Sequence, residues 1–247
     1  MKYLSLFILL IAMSCNSPKK QKKVDIPEIE TIKEKVIPEK KEVKKDNQLI
    51  VVLNNPKTIN DTKALITNSG LAWDDLNLNV KGIKSAIVTV PTDKKDFWIQ
   101  RLLESNTFEV VETNNEEALT AIKSKLESRL ISIRKTQCFG DCPVYDFYIN
   151  KDGKAFFNGK KYVAKKGKHE FQLSEKELQE LTSKIEKSNF SSFKDVYDNP
   201  KVMDLASSYI FCNGKQIQIR LWQNIPDDLT DIHEYATEFL YTKKYLE

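Results

Sequence analysis

The sequence of 247 residues contains few glycines, few histidines and no apolar run long enough to cross a membrane. Its seven glycines are too few for a collagen-like chain, a glycine-rich linker or a protein built around glycine-rich nucleotide loops. Only two histidines, His169 and His233, are available for a metal centre. Hydrophobic residues form 40% of the chain and charged residues 30%, so most of it can bury a core. Because a domain typically uses about 100–200 residues, the length predicts one or two domains.

The N-terminus is predicted to carry a targeting signal. The apolar run from Leu4 to Met13 is about ten residues long, shorter than the ~20 residues that a transmembrane helix needs. It ends in Ala12-Met13-Ser14-Cys15, which resembles the lipobox of bacterial lipoproteins. The resemblance implies a signal peptide over residues 1–14 and lipidation of Cys15 with palmitate-type acyl chains. An ordinary secretory peptide cut nearby is the alternative.

Residues 15–47 are predicted to form a disordered tether rich in Lys, Glu and Pro. They contain ten Lys, seven acidic residues, no aromatic residue and no Gly, so they cannot bury enough apolar surface to order themselves. Lys2 and the tether account for the formal net charge of +4, and residues 48–247 carry 28 basic and 28 acidic side chains. We therefore expect no nucleic-acid partner. With a lipidated Cys15, the expected location is the cell envelope, anchored to the outer membrane and facing the periplasm.

The pattern of residues 48–113 predicts a ferredoxin-like β-α-β-β-α-β domain. The predicted elements are strands at 48–53, 76–80, 85–90 and 108–112, a helix at 56–69, and a second helix capped by Thr92 that buries Trp98, Ile99, Leu102 and Leu103. The turn-strand KGIKSAIVTVP and the closing FEVVETN resemble propeptide or inhibitor domains of subtilisin-type proteases. That resemblance implies a module that binds another protein through its sheet or its C-terminal strand.

Residues 114–128 are predicted to be a connecting helix, capped by Asn114 or Asn115. Residues 129–247 then predict a second α+β domain, an antiparallel sheet with segregated helices. A capping box at Ser174–Glu177 and the Asn213-Gly214 hairpin turn are its strongest local signals. The whole chain is thus expected to be of the α+β class.

The run R-x-x-x-C-F-G-D-C-P-V-Y-D-F-Y-I, with the following hairpin, capped helix and late Asp204, resembles a bacterial domain family of unknown function, DUF6438. That family is marked by C-x-G-x-C-P-x-Y near its start, and the resemblance covers residues 130–241. It implies an envelope setting and brings no established activity.

Cys138 and Cys142 are four residues apart around Gly140, which frees the backbone for a tight turn. In an oxidising periplasm we expect a structural disulfide that rigidifies the loop presenting Phe139 and Asp141. A redox pair is an alternative, although such pairs usually have the spacing C-x-x-C at a helix N-terminus. A zinc site would have to combine both cysteines with Cys212 and one histidine at unusual spacing.

We expect a binding site around this loop, made by Arg134, Tyr145 and Asp204 together with Phe139 and Asp141. A structural ion pair is the alternative for Arg134. His233 is expected on a solvated helix face. No residue is assigned to catalysis, to a metal or to a cofactor.

The leading functional hypothesis is a non-catalytic module, anchored by its N-terminal lipid, that binds an envelope protein or peptide. One alternative is a thiol-redox factor or other enzyme that uses the Cys138/Cys142 loop. Another is a protease inhibitor or folding helper that acts through residues 48–113. The sequence leaves open whether the protein is an enzyme.

Overall fold

The computed structural model describes residues 46–247. The predicted signal peptide, the predicted lipidation site Cys15 and residues 15–45 of the predicted tether lie outside the described residues. Both sheets described below lie in one compact unit, Val43–Glu247. Within residues 46–247, no helix combines the length and the hydropathy that a membrane crossing requires.

The described chain is an α+β structure with two sheets, as predicted. Its strands are β1 (Gln48–Leu53), β2 (Ala72–Leu76), β3 (Ser85–Thr89), β4 (Phe108–Thr113), β5 (Arg129–Lys135), β6 (Val144–Asn150), β7 (Lys154–Lys161), β8 (Gly167–Gln172), β9 (Val196–Tyr197), β10 (Ser208–Cys212) and β11 (Lys215–Ile219). Its α-helices are α1 (Ile59–Asn68), α2 (Lys95–Glu104), α3 (Glu116–Ser128), α4 (Glu175–Lys187) and α5 (Asp227–Thr242).

The first sheet has the strand order β2-β3-β1-β4, and every pair in it is antiparallel. With α1 and α2 in their places along the chain, this is the ferredoxin-like order that the sequence predicted. One face of the sheet packs against α1 and α2, with Leu49, Val51 and Val88 at its centre. Leu103 was expected in the buried stripe of α2, but it is 47% exposed. Leu102 is buried as predicted, Trp98 and Ile99 pack partly buried against the same core, and Ile66 is the buried apolar residue of α1.

The second face of this sheet is covered by the chain's own residues. Ile50 and Val52 pack there against Leu78 and against Ile122 and Leu126 of α3. The predicted strand at 76–80 is wrong, since β2 ends at Leu76. The alternating apolar residues Leu76, Leu78 and Val80 instead pack on this face of the sheet, the last two from the loop that follows β2.

The second sheet has seven strands in the order β8-β7-β6-β5-β10-β11-β9. Helices α4 and α5 pack on one face, where Phe147, Phe157 and Ile210 are almost fully buried. The Ser174–Glu177 capping box opens α4 as predicted. A purely antiparallel sheet was predicted, but the sheet is mixed, because β9 pairs in parallel with β11. A strand of two residues carries no periodic signal that could have predicted it.

The two sheets touch at defined points. Gly82, in the loop that caps the first sheet, lies so close to the β10–β11 turn that an added Cβ would sit 2.1 Å from the carbonyl oxygen of Gly214. Lys57 Nζ lies 3.0 Å from Asp195 Oδ2. Arg129 at the start of β5 pairs with Glu109 of β4. These contacts leave a cleft between the sheets.

Candidate functional site

The cleft is walled by the face of the second sheet that points away from α4 and α5. Because side chains alternate along a strand, residues that pair across strands form rows on that face. A polar row consists of Gln218, Tyr209, Arg134, Asp146 and Asn158. An aromatic row, two residues further along each strand, consists of Gln216, Phe211, Ser132, Tyr148 and Phe156.

Arg134 is the central cation of the polar row. Its guanidinium carbon lies 4.0 Å from the centre of the Tyr209 ring, a close cation–π contact. Its Nη2 donates a 3.4 Å hydrogen bond to the carbonyl oxygen of Asn54, at the end of β1. Burial lowers the pKa of Arg134 from its usual value, against the opposing influence of Tyr209 and nearby carboxylates. Among residues 46–247 Arg134 forms no ion pair.

Asp146 lies opposite Arg134 in the β5–β6 register, but its ion pair is made elsewhere. Asp146 Oδ2 lies 2.7 Å from Lys160 Nζ. The other oxygen, Oδ1, is buried and has no hydrogen-bond partner within the described part of the chain. A buried acceptor without a donor is costly, so this oxygen is ready to accept a hydrogen bond.

Glu109 and Arg129 form the pair that joins the two sheets beside the cleft. Both guanidinium Nη atoms donate to the two carboxylate oxygens, one of them, Nη1 to Oε2, at 3.1 Å. Lys125 Nζ lies 3.7 Å from Glu109 Oε1. Burial acts to raise the pKa of Glu109, but the charge and hydrogen bonds of Arg129, aided by Lys125, hold it below its ordinary value. The negative charge of Glu109 is therefore balanced by Arg129 and Lys125, and Glu109 and Arg129 form a stable ion pair.

The aromatic row supplies an apolar surface beside these charges. The rings of Tyr148 and Phe156 stack with centroids 4.6 Å apart. Together with Glu109 of β4, Leu103 of α2 and Asn54, which follows β1, the rows enclose a cleft of about 520 Å³. Gln216 Nε2 donates to the Asn54 carbonyl at 2.8 Å and thereby closes one side. The volume lies within the ~300–1,000 Å³ that small-molecule sites usually have.

The predicted disulfide is present in the β5–β6 loop. Cys138 and Cys142 are bonded, with Cα atoms 5.8 Å apart. Gly140 has a φ of 147°, in the region that favours glycine. Phe139 at the tip is 89% exposed, and Met203 in the neighbouring loop is 74% exposed.

The structure does not assemble the predicted site of Arg134, Tyr145 and Asp204. Tyr145 pairs with Lys135, one position from Arg134, so its side chain lies on the opposite face of the sheet. There it is buried against Phe157, and burial raises the pKa of its hydroxyl above the ordinary value. Asp204 is exposed, and its backbone carbonyl, rather than its carboxylate, accepts from Phe139 N–H at 3.2 Å.

Phe139 and Asp141 lie on the surface loop, as predicted, and Arg134 lies in the cleft. The sequence did not reveal the neighbours of Arg134, which are Asn54, Tyr209 and, across the β5–β6 pair, Asp146. Alternation within β5 and β6 could have placed Arg134 and Asp146 on one face. No local signal could have identified Asn54, which lies 80 residues away.

The positions of the cysteines bear on the two alternatives for this loop, a redox pair and a zinc site. Cys138 and Cys142 lie between two strands, not at the helix N-terminus that lowers the pKa of catalytic thiols. Cys212 is buried on β10, and burial raises the pKa of its thiol to about 12. Within residues 46–247, no group of three or more His, Cys, Asp or Glu side chains is arranged to hold a metal ion.

The prediction that His233 lies on a solvated helix face is wrong. His233 packs against Trp222, with ring centroids 4.4 Å apart. Its Nε2 is buried and has no hydrogen-bond partner in the described structure. Burial, aided by the charge of Lys135, lowers the pKa of His233 to about 4. The interaction depends on the loop after β11, which brings Trp222 over α5.

Comparison with protein families gives a match over the second part of the chain. Residues 129–240 match the model of a family described as a domain of unknown function (DUF6438). The matched segment starts with β5 and ends within α5, so it contains the disulfide loop and the polar row. No curated protein matches the chain. The chain therefore carries, over residues 129–240, a C-terminal domain similar to that family of unknown function.

Proposed function

We propose that the protein is a lipoprotein of the cell envelope that binds an envelope protein or peptide without catalysing a reaction. A lipidated Cys15 would anchor it to the outer membrane, and the predicted tether would hold residues 48–247 in the periplasm. The observation that carries the proposal of binding is the disulfide loop, which presents a nearly fully exposed Phe139.

An exposed phenylalanine on a constrained loop has the properties of an interface anchor. Burying a phenylalanine side chain contributes roughly 1.5–3 kcal/mol, which the isolated protein forgoes at position 139. The disulfide closes a loop of five residues and restricts the conformations that binding would otherwise have to freeze. Aromatic anchors in ordered loops are typical of the few residues that carry most of the binding free energy.

Met203 extends this surface. The hydrogen bond from Phe139 N–H to the Asp204 carbonyl places the two loops side by side. Methionine adapts its shape to a partner because its side chain is unbranched and flexible. The two side chains are the most exposed large apolar ones among residues 46–247 and form an apolar surface, hereafter the Phe139 surface.

A photo-crosslinking experiment tests the proposal. A benzophenone amino acid is introduced at position 139 of the full, membrane-anchored chain in its native envelope. The matched control is position 97, since Phe97 is also exposed (59%) but lies on α2. We expect a discrete crosslinked partner at position 139, lost in Met203→Ser, and none at position 97. Identical products at both positions, or none at either, would overturn the proposal.

The anchor is tested separately by the intact mass of the chain purified from membranes. A mature chain that begins at Cys15 and carries acyl mass supports the lipoprotein assignment. An unacylated chain cut elsewhere would show an ordinary secreted protein.

The alternative of a protease inhibitor remains a prediction from the sequence. The second face of the first sheet, one surface through which such a module would bind, is occupied by α3 and Leu78. Binding would therefore have to use a sheet edge, of which β4 is one.

A further inference from the structure

The cleft between the two sheets has features of a ligand site that the Phe139 surface does not explain. Arg134 is mostly buried, yet the residues described provide it with no carboxylate partner. A guanidinium offers five N–H donors in a plane that matches a carboxylate, and Arg134 spends one of them on the Asn54 carbonyl at 3.4 Å. Stacking on Tyr209 fixes the plane of the remaining donors.

The residues that line the cleft carry more positive than negative side chains, so the cleft favours an anionic ligand. Glu109 is matched by Arg129 and Lys125, and Asp146 is matched by Lys160. Arg134 forms no ion pair among the described residues and is less exposed than Lys168, which also lines the cleft. A carboxylate would balance the charge of Arg134, because its two oxygens match the planar donors of a guanidinium.

A second polar group defines what should lie beside that anion. The unpartnered Oδ1 of Asp146 sits directly across the β5–β6 register from Arg134. Side chains that face each other in this way have Cβ atoms about 4.5–5.5 Å apart. Because Lys160 already neutralises Asp146, a neutral N–H suits Oδ1 better than an ammonium group.

The third feature is apolar. The stacked rings of Tyr148 and Phe156 lie in the adjacent row of the same strands, within the cleft. A ligand with an apolar side chain next to its carboxylate and N–H would cover these rings. An amino-acid residue with a free carboxylate and an acylated nitrogen combines all three groups on neighbouring atoms.

We propose that this cleft binds a carboxyl-terminal amino-acid residue with an acylated nitrogen and an apolar side chain. Its carboxylate would lie on Arg134, its N–H on Asp146 Oδ1 and its side chain on the Tyr148–Phe156 stack. The same chemistry occurs in a small N-acylated amino acid and at the carboxyl terminus of a peptide. The site is separate from the Phe139 surface and does not depend on it.

The ligand series needs no mutation, so a folding defect cannot obscure it. N-acetylphenylalanine is titrated calorimetrically into the full chain and compared with its carboxamide and with 3-phenylpropionate. We expect the carboxamide to bind at least tenfold more weakly, since it cannot form the charged contacts with Arg134. Phenylpropionate, which lacks the N–H, should bind severalfold more weakly. Equal affinity for acid and amide, or no binding of the acid at millimolar concentration, would overturn the proposal.

Variants then assign the site, and a peptide identifies the source. Arg134→Gln should lose at least tenfold in affinity for N-acetylphenylalanine, while Arg101→Gln, on an exposed position of α2, should lose none. Equal loss in both variants would contradict the assignment. If Ala-Ala-Phe with a free carboxyl terminus binds as well as N-acetylphenylalanine, and its amide does not, the site accepts peptide termini. Tenfold weaker binding of this peptide restricts the site to small molecules.

Discussion

The ion pair between Glu109 and Arg129 is expected to be the strongest single polar link between the two sheets. It joins β4 to β5, and the Arg129 side chain is only 4% exposed while that of Glu109 is 23% exposed. The substitution Glu109→Gln removes the charge and keeps the size of the side chain. It would leave Arg129 as a buried cation whose Nε already has no partner among the described residues.

The expected cost follows from that burial. Breaking a buried pair by removing one partner typically costs about 3–5 kcal/mol. Because Glu109 is partly exposed and the glutamine oxygen still accepts one hydrogen bond, we expect about 2–3 kcal/mol. For a unit of this size each kcal/mol lowers Tm by about 2–4 °C, so Tm should fall by about 4–12 °C.

The measurement is urea and thermal unfolding followed by circular dichroism, with Glu127→Gln as control. Glu127 pairs with Lys123 on the exposed face of α3, where both side chains are about half exposed, so its loss should cost less than ~0.5 kcal/mol. If Glu109→Gln costs no more than Glu127→Gln, the reasoning from burial is wrong.

The same pair predicts a pH dependence. The pKa of Glu109 is held below its ordinary value of 4.5, so its contribution to stability is fully present above pH 4.5 and is lost as pH falls through the lowered pKa. The difference between the native protein and Glu109→Gln should therefore be constant above pH 4.5 and shrink below it. A difference that persists unchanged in acid would contradict the ionised pair.

Three further perturbations test other parts of the structure. Replacing both Cys138 and Cys142 by Ser should leave a folded chain whose stability falls by about 2 kcal/mol, or Tm by about 4–8 °C; a variant that is already unfolded at the start of a thermal melt would contradict a merely local role of the disulfide. Gly82→Ala should cost at least ~1 kcal/mol more than Gly70→Ala, because both have positive φ but only the first Cβ would strike a neighbouring backbone; equal urea midpoints would exclude that close contact. Because the pKa of His233 is lowered from 6.5 to about 4, the protein should lose up to ~3 kcal/mol of stability as pH falls from 6.5 towards 4. This loss should be absent in His233→Gln, and an NMR titration of His233 near pH 6.5 would contradict its burial.

Much of this structure is determined by interactions between residues close in sequence. The cap of α3 by Asn115, the Ser174–Glu177 capping box and the Asn213-Gly214 turn were all predicted and are all present. Each depends on one side chain reaching a backbone group within three residues, or on a backbone conformation that asparagine and glycine adopt readily. The Cys138–Cys142 disulfide belongs to the same class, because the two thiols are only four residues apart.

The cleft was decided by tertiary structure alone. Arg134 was identified from the sequence, but its true neighbours come from strands and a loop that lie far apart along the chain, as the Asn54 carbonyl shows. Tyr145 was assigned to the same site, yet a register in which it pairs with Lys135 puts it on the other face of the sheet. His233 was expected to face solvent, but in the structure Trp222 packs against it. Hydrophobic pattern and capping chemistry determine which segments become strands and helices, whereas strand register and the packing of two sheets determine which polar side chains meet, because those contacts form only when distant segments are brought together.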